Sequence, residues 1–478
     1  MKIEYKREAK ADIRVIFVLK KNLSGSFIRD RALLEKIGFE GADESSALLA
    51  ERGELYVGVE DCDDLESFRI AAAKAIGVLK TLKIRDAAIG SYDKSGAAIA
   101  KAIAFGLLLG AYEFNEYKSK PKESSLDTIY FTKESYYGAK TDEGAIKAAI
   151  AYANTVASGV NFVRNLVNRA PQDMTPSVLA SEAQEAANAS GIRCAIYDAN
   201  YLKDNGMNAL LAVGRASVHQ PRLIHLTYEP KNAAKTVAIA GKGLTYDSGG
   251  LSLKPADYMS TMKADMAGGA AAIAIIKTAA ELKLPVTIHA VIGAAENMIG
   301  GDAYKPDDVL KAKNGKTIEI KNTDAEGRLA LADCLCYIQE KAPELDYIID
   351  LATLTGACVV ALGEYSSGVM GFNDDLKRSL LQAAENGGEL AAALPFNRHL
   401  KKLLKSETAD MANCASVRYG GAITAALFLS EFIEEKNRAK WAHLDIAGPS
   451  YVEKAWGVNP FGASGAAVRW IINWLENL

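Results

Sequence analysis

Asn322-Thr323-Asp324-Ala325-Glu326-Gly327-Arg328-Leu329 joins two elements of different period. Before it, residues 317–321 (TIEIK) alternate polar and apolar, as a strand does; after it, 329–338 carry apolar residues at helical spacing. A strand leading into a helix is the unit from which α/β sheets are built. Here the junction carries two carboxylates and a guanidinium. If it is extended, residues two apart share a side, and Asp324, Glu326 and Arg328 line one face. Carboxylates held that close repel unless a cation lies between them. The alternative is an exposed acidic turn in which Asp324 or Glu326 favours the helix N-terminus. The octapeptide alone leaves both open.

The alternation continues on either side. Upstream, 177–188 and 266–283 have helical spacing, and 193–197, 223–227, 237–240 and 286–292 have strand character. Downstream come a buried strand at 347–351, a helix at 422–434, a strand at 441–446 and a closing helix at 466–475. Such alternation argues an α/β fold with a mostly parallel or mixed central sheet flanked by helices. Sites in such sheets sit beyond the strand C-terminal ends. Nearer the N-terminus, strands at 13–19, 55–59, 87–90 and 128–131 with helices at 65–82 and 96–112 predict a smaller α/β domain, and the charged stretch around Pro121 a surface loop. Residues 141–167 form one predicted helix, with Thr141 as N-cap, Asp142 and Glu143 in its first turn, and Pro171 beyond its end. The expected organisation is an N-terminal α/β domain over 1–140, a connecting helix over 141–170 and a larger C-terminal catalytic domain over 171–478.

Composition narrows the class of function. With 478 residues, 49% apolar and 24% charged, the chain has the make-up of a soluble globular protein of about two domains. A net charge of −3 carries no nucleic-acid or membrane signature. The opening MKIEYKREAKADIR lacks the apolar core of a secretory signal, and no apolar stretch is long enough to span a bilayer. The six cysteines, Cys62, Cys194, Cys334, Cys336, Cys358 and Cys414, form no CxxC, so reduced thiols and a cytoplasmic protein are expected, with Cys334 and Cys336 in a helix core. The five histidines form no HExxH or HxH pattern, which argues against a zinc site built from histidine.

Chemistry must therefore come from carboxylates and lysines. The strand at 237–240 runs into a glycine-rich loop at 241–250, GKGLTYDSGG, which matches neither GxxxxGK[ST] nor GxGxxG. Lys242 lies between two glycines and Asp247 follows five residues on; taken singly, one is a solvated lysine and the other a turn residue. Lys254 before Pro255 reads as a surface lysine, and Asp265 as an N-cap before a small-residue helix. As a set they say more. Asp247, Asp265, Asp324 and Glu326 each fall at a strand end or helix start of one domain. If they converge, a pair of divalent cations would offset their repulsion. Oxygen ligands suit Mg²⁺, Mn²⁺ or Zn²⁺, and two-metal sites are a known solution for hydrolysis.

The segments GKGLTYDSGGLSLKP, MKADMAGGAAA and NTDAEGRLALAD, in this order, resemble the signature of the leucyl aminopeptidase (cytosol aminopeptidase) family, for which NTDAEGRL is highly specific. ENMIGGDAYKPDDVL, LATLTGA, YGGAITAALFLSEF and WAHLDIAGP are similar to the family as well. The resemblance covers essentially all of the C-terminal domain; the N-terminal domain is diverged. It implies an enzyme that releases leucine and other, mainly apolar, N-terminal residues from peptides. It implies two divalent ions per subunit, Mn²⁺ or Zn²⁺, with Mg²⁺ as an alternative at the exchangeable position. Lys242, Asp247, Asp265 and Glu326 would hold the tight ion, and Asp247, Asp324 and Glu326 the exchangeable one. Lys254 would stabilise the oxyanion, and Arg328 would hold a bicarbonate general base. Met262, Thr353 and Gly356 would line the pocket for the first side chain, although ordinary core packing serves Met262 equally well. The same resemblance implies a homohexamer, a dimer of trimers, with no membrane partner. The chain departs from the family at 163–176, where Arg164 and Arg169 replace a more acidic pattern, and at 363–366. His443 and Asp445 match the family but read as a packed core strand.

Two other functions compete. The four carboxylates would also permit a metal-dependent hydrolase of phosphate esters, against which Lys242, Lys254 and Arg328 in these contexts speak. DNA binding, a second role of some family members, would need a basic surface strip for which the balanced charge gives no support.

Overall fold

The computed structural model describes every residue of the chain except 21, 24, 62, 95 and 122. Cys62, one of the six thiols expected to be reduced, thus lies outside the described residues. The chain divides into two compact units, 1–161 with 454–461 and 162–453 with 462–478. The expected division at 140 and 171 did not include this return of 454–461 to the first unit.

The first unit is built on β1 (Lys2–Tyr5), β2 (Ile13–Leu19), β3 (Ser46–Leu49), β4 (Glu54–Val59), β5 (Asp86–Ser91) and β6 (Thr128–Ser135), in the order β1-β6-β5-β2-β4-β3. All its pairings are parallel except β3 with β4. Helices Leu65–Leu79 and Ala98–Gly110 are the two that the apolar spacing predicts. Asp64 caps the first by accepting from the amides of Glu66 and Ser67. The long helix Glu143–Asn168 begins in this unit and ends in the second.

The second unit carries β7 (Arg193–Tyr197), β8 (Arg222–Tyr228), β9 (Lys235–Asp247), β10 (Val286–Asn297), β11 (Val309–Lys311), β12 (Thr317–Glu319), β13 (Tyr347–Ala352), β14 (Ser366–Gly371), β15 (Leu390–Ala393), β16 (Met411–Ala412) and β17 (Trp441–Asp445). Eight of them form one sheet in the order β15-β14-β17-β13-β9-β10-β8-β7. Its centre, β17-β13-β9-β10, is parallel; β8 and β7 on one side and β14 on the other run antiparallel to their inner neighbours. The sheet is therefore mixed. Helices Pro176–Ser190, Ala267–Glu281 and Glu326–Lys341 pack on it. In the segment of departure, Arg164 is buried and its Nε donates to Ser464 O at 3.0 Å, while Arg169 pairs with Glu182.

Two local expectations are corrected. Residues 241–247 are not a loop but the second half of β9. Glycine is needed there because the helix Ala267–Glu281 lies so close: a Cβ on Gly241 would stand 2.7 Å from Gly268 O. The strand at 317–319 exists but lies outside the large sheet, in a three-stranded one of order β11-β12-β16. No helix among the described residues is long and apolar enough to cross a membrane.

The four parallel strands set the site. β10, β9, β13 and β17 end at one edge of the sheet, and their last residues or next neighbours are Asn297, Asp247, Thr353 and Asp445.

Candidate metal centre

Lys242 points from within β9 and Asp247 ends that strand. Asp265 lies in the short 3₁₀ turn Met262–Met266 that leads into Ala267–Glu281. Asp324 sits in an irregular turn, and Glu326 is the first residue of the helix Glu326–Lys341. Four separate elements thus bring these side chains to one place. Carboxylate oxygens of Asp247, Asp265 and Glu326 lie within 4.8 Å of one another, and all three residues are buried.

The two lysines thread between the acids. Lys242 Nζ lies 2.7 Å from Asp265 Oδ1 and 3.0 Å from Glu326 Oε1, and it donates to Thr353 O at 2.9 Å. Lys254 Nζ lies 2.9 Å from Asp247 Oδ2 and 2.6 Å from Asp324 Oδ1. A cavity of about 180 Å³ is lined by Lys242, Asp247, Lys254, Asp265, Asp324 and Glu326, with Met262, Thr353 and Gly356 among its other walls.

Arg328 is not part of that lining. The segment is not extended: a turn at 323–324 leads into helix from Glu326. Residues two apart on a helix face different ways, so Glu326 lines the cavity while Arg328 turns toward Asn413. It is buried, with Nη1 donating to Asn413 O at 2.7 Å, and it feels the charge of Glu326 and Asp324. Its Nε has no hydrogen-bond partner among the described residues.

Burial sets the electrostatics. It raises the pKa of Asp265, Asp247 and Asp324, each of which also feels the charge of Glu326; Lys242 and Lys254 oppose the rise. Burial pushes both lysines down, yet the facing carboxylates outweigh it and hold each above the ordinary lysine range. For Glu326 the two ammonium groups outweigh burial and lower its pKa. Four carboxylates face two ammonium groups, so full ionisation of the acids would leave an excess of negative charge in a largely buried site. Asp265 Oδ2 and Glu326 Oε2 are buried with no hydrogen-bond partner among the described residues. An oxygen-rich donor set with uncompensated charge and orphaned oxygens fits divalent cations.

Several positioning residues were not singled out from the sequence. Asn297 Nδ2 donates to Asp247 Oδ1 at 2.8 Å and to Thr323 O at 3.0 Å. Its register partner in the sheet is Asp247 itself, so strand pairing could have found it. Tyr304 OH donates to Thr323 O at 2.6 Å, and Thr323 Oγ1 to Gly249 O at 2.6 Å. Asp445, which the sequence does single out but as part of a packed core strand, accepts from Leu354 N at 3.1 Å and from Thr355 Oγ1 at 2.8 Å and so braces the cavity wall from β17. His443 pairs with Asp350 inside the sheet, in keeping with a packed core strand.

A model of the cytosol aminopeptidase family catalytic domain matches residues 161–472, and one of its N-terminal domain matches 32–121. A probable cytosol aminopeptidase of Wolinella succinogenes is 52% identical over 471 residues, 98% of this chain and 97% of the relative. Its counterpart in Campylobacter jejuni is 47% identical over 470 residues, 98% and 96% of the two chains. Among solved structures, a mutant of tomato leucine aminopeptidase superposes with a TM-score of 0.89 at 33% identity, covering 100% of this chain and 97% of the other. A bottromycin maturation enzyme in complex with Mn gives 0.87 at 34% identity, covering 98% and 99%.

Proposed function

The chain belongs to the cytosol aminopeptidase family, metal-dependent peptidases acting at the N-terminus, and from that premise we propose a two-metal enzyme that releases leucine and other, mainly apolar, N-terminal residues from peptides. The observation that carries this reading is the convergence of Asp247, Asp265, Asp324 and Glu326 with Lys242 and Lys254 on one cavity. Lys242, Asp247, Asp265 and Glu326 would hold one ion, and Asp247, Asp324 and Glu326 the other, with Mn²⁺ or Zn²⁺ preferred and Mg²⁺ accepted at the second position. When bound, such ions polarise a carbonyl and make water a nucleophile near neutral pH.

The chain's own groups do the rest. Lys242 now uses its ammonium on Asp265, Glu326 and Thr353 O, so it must release a proton before its nitrogen can serve as a ligand. Lys254 bridges Asp247 and Asp324. With those acids engaged by cations its ammonium would be free to donate within the cavity and to stabilise an oxyanion there. Arg328 keeps one arm on Asn413 O and an unpartnered Nε, which leaves donor capacity for a planar bicarbonate, the proposed general base. Met262, Thr353 and Gly356 would take the first side chain of the substrate, with the adaptable methionine suited to varied apolar residues. We further expect a cytoplasmic homohexamer, a dimer of trimers.

The test is a leucine-headed peptide beside its N-acetylated twin. Release of the first residue from the free-amine peptide alone supports the exopeptidase; internal cleavage, or equal cleavage of both, contradicts it.

A further inference from the structure

Residues 320–325, which carry Asp324 into the cavity and lead to Glu326, belong to no helix or strand. Backbone groups in such a segment, where water does not reach them, must find partners elsewhere. One residue supplies three of them, on Lys321 and Asn322. Asn413 is fully buried. Its amide donates to Glu319 O at 2.9 Å. Its Oδ1 accepts from Lys321 N at 2.8 Å and Asn322 N at 3.3 Å, and its Nδ2 donates to Asn322 O at 2.7 Å. Its carbonyl accepts from Arg328 Nη1 at 2.7 Å. All these partners lie within 319–328, the stretch that carries Asp324, Glu326 and Arg328.

We propose that Asn413 is a positioning residue of the metal centre, holding 319–328 in the shape that presents Asp324 and Glu326 to the cavity. The proposal rests on the two-metal reading of that cavity. Its side-chain amide acts as a detached peptide group, offering one acceptor and one donor to a backbone with no neighbouring strand. The contact is relayed, because Asn322 Oδ1 in turn accepts from Asp324 N at 2.8 Å. Asparagine has the required donor and acceptor at this reach; aspartate lacks the donor, alanine lacks both. Since β16 pairs with β12 through backbone alone, that pairing survives a change of side chain. A role limited to stability would lower the unfolding temperature and leave the metal affinity of the folded protein unchanged. A positioning role weakens metal binding at temperatures where the protein is fully folded.

The experiment compares full-length wild type, Asn413→Ala, Asn413→Asp and a control, Asn373→Ala. The control removes a capping side chain of the helix Asp374–Gly387, away from the cavity. Each chelated protein is titrated with Mn²⁺ by calorimetry, the wild type also with Zn²⁺, and the unfolding temperatures are recorded. The expected result is cooperative unfolding in all four, with Mn²⁺ affinity reduced roughly 10- to 100-fold in both Asn413 variants and unchanged in the control. Asn413 variants within twofold of a wild type that binds Mn²⁺ would overturn the role of Asn413 alone. Unfolding of both variants would make Asn413 a determinant of the fold and also overturn it. Wild type that binds neither Mn²⁺ nor Zn²⁺ would overturn the metal reading, and the proposal with it.

Discussion

Lys242 Nζ lies 3.0 Å from Glu326 Oε1, and both side chains are buried. Glu326 is, with Asp247, one of two acids assigned to both ions, and it opens a helix whose N-terminus favours negative charge. Glu326→Ala is therefore expected to lose metal and activity together. A supporting contact alone is worth about 10- to 100-fold in metal affinity, and loss of a shared ligand should exceed that. Metal content after desalting, measured with activity, checks it; a metal-replete but inactive variant would put Glu326 in a different role.

Lys254 separates from the ligands by its task. It bridges Asp247 and Asp324 without touching Asp265 or Glu326 by any ion pair among the described residues. Lys254→Ala should keep bound metal while turnover falls by about 10²- to 10³-fold, the usual effect of removing an oxyanion donor. Steady-state kinetics at saturating metal decides it, and full turnover in the variant would remove Lys254 from the mechanism.

Gly327 sets two effects against each other. Replacing a helical glycine by alanine ordinarily stabilises by about 1 kcal/mol. Here the new Cβ would stand 2.6 Å from Lys242 Nζ, inside a packed site. Overpacking of this kind costs about 1–3 kcal/mol, so Gly327→Ala should lower the unfolding temperature and weaken metal binding. A higher unfolding temperature with intact binding would show that Lys242 can move aside.

Part of the site could be read in advance because its candidate ligands sit near strand ends and helix starts, where changes of hydrophobic period are visible. Glu326, just ahead of the predicted helix, is of that kind. Arg328 was misplaced because the extended reading of 322–329 ignored that a helix started at Glu326 turns alternate residues apart. The strand nature of 241–247 was hidden by glycines whose reason is a helix packed above them, a tertiary fact. Asn413 was invisible for a different cause: its partners are about 90 positions away, and nothing local marks it. β14, the helix Asp374–Gly387 and β15 were left unassigned, although Asn373 before Asp374 and Asp375 is a capping signal.

The pH dependence of stability offers a test away from the cavity. His225 Nε2 and His289 Nδ1 lie 3.1 Å apart, and His225 Nδ1 is 3.2 Å from Tyr337 OH. Burial, then neighbouring His289, Arg193 and Lys341, push His225 down to about 4, and burial lowers His289 also. A base lowered in the folded state leaves the unfolded chain to bind protons first. Its contribution is thus present above about pH 6.5 and lost as pH falls toward about 4. His225→Gln should show a shallower fall in unfolding temperature over that window. An equal fall in both proteins would mean that His225 is protonated in the folded chain.

The most direct measurement is hydrolysis of a leucine anilide by the purified protein after chelation, then with Mn²⁺, Zn²⁺ or Mg²⁺ restored, beside an N-acetylated control. The expected result is no cleavage by the chelated protein and metal-restored cleavage of the free-amine substrate only. Undiminished cleavage after complete metal removal, or equal cleavage of the acetylated substrate, would contradict a metal-dependent aminopeptidase built on Asp247, Asp265, Asp324 and Glu326.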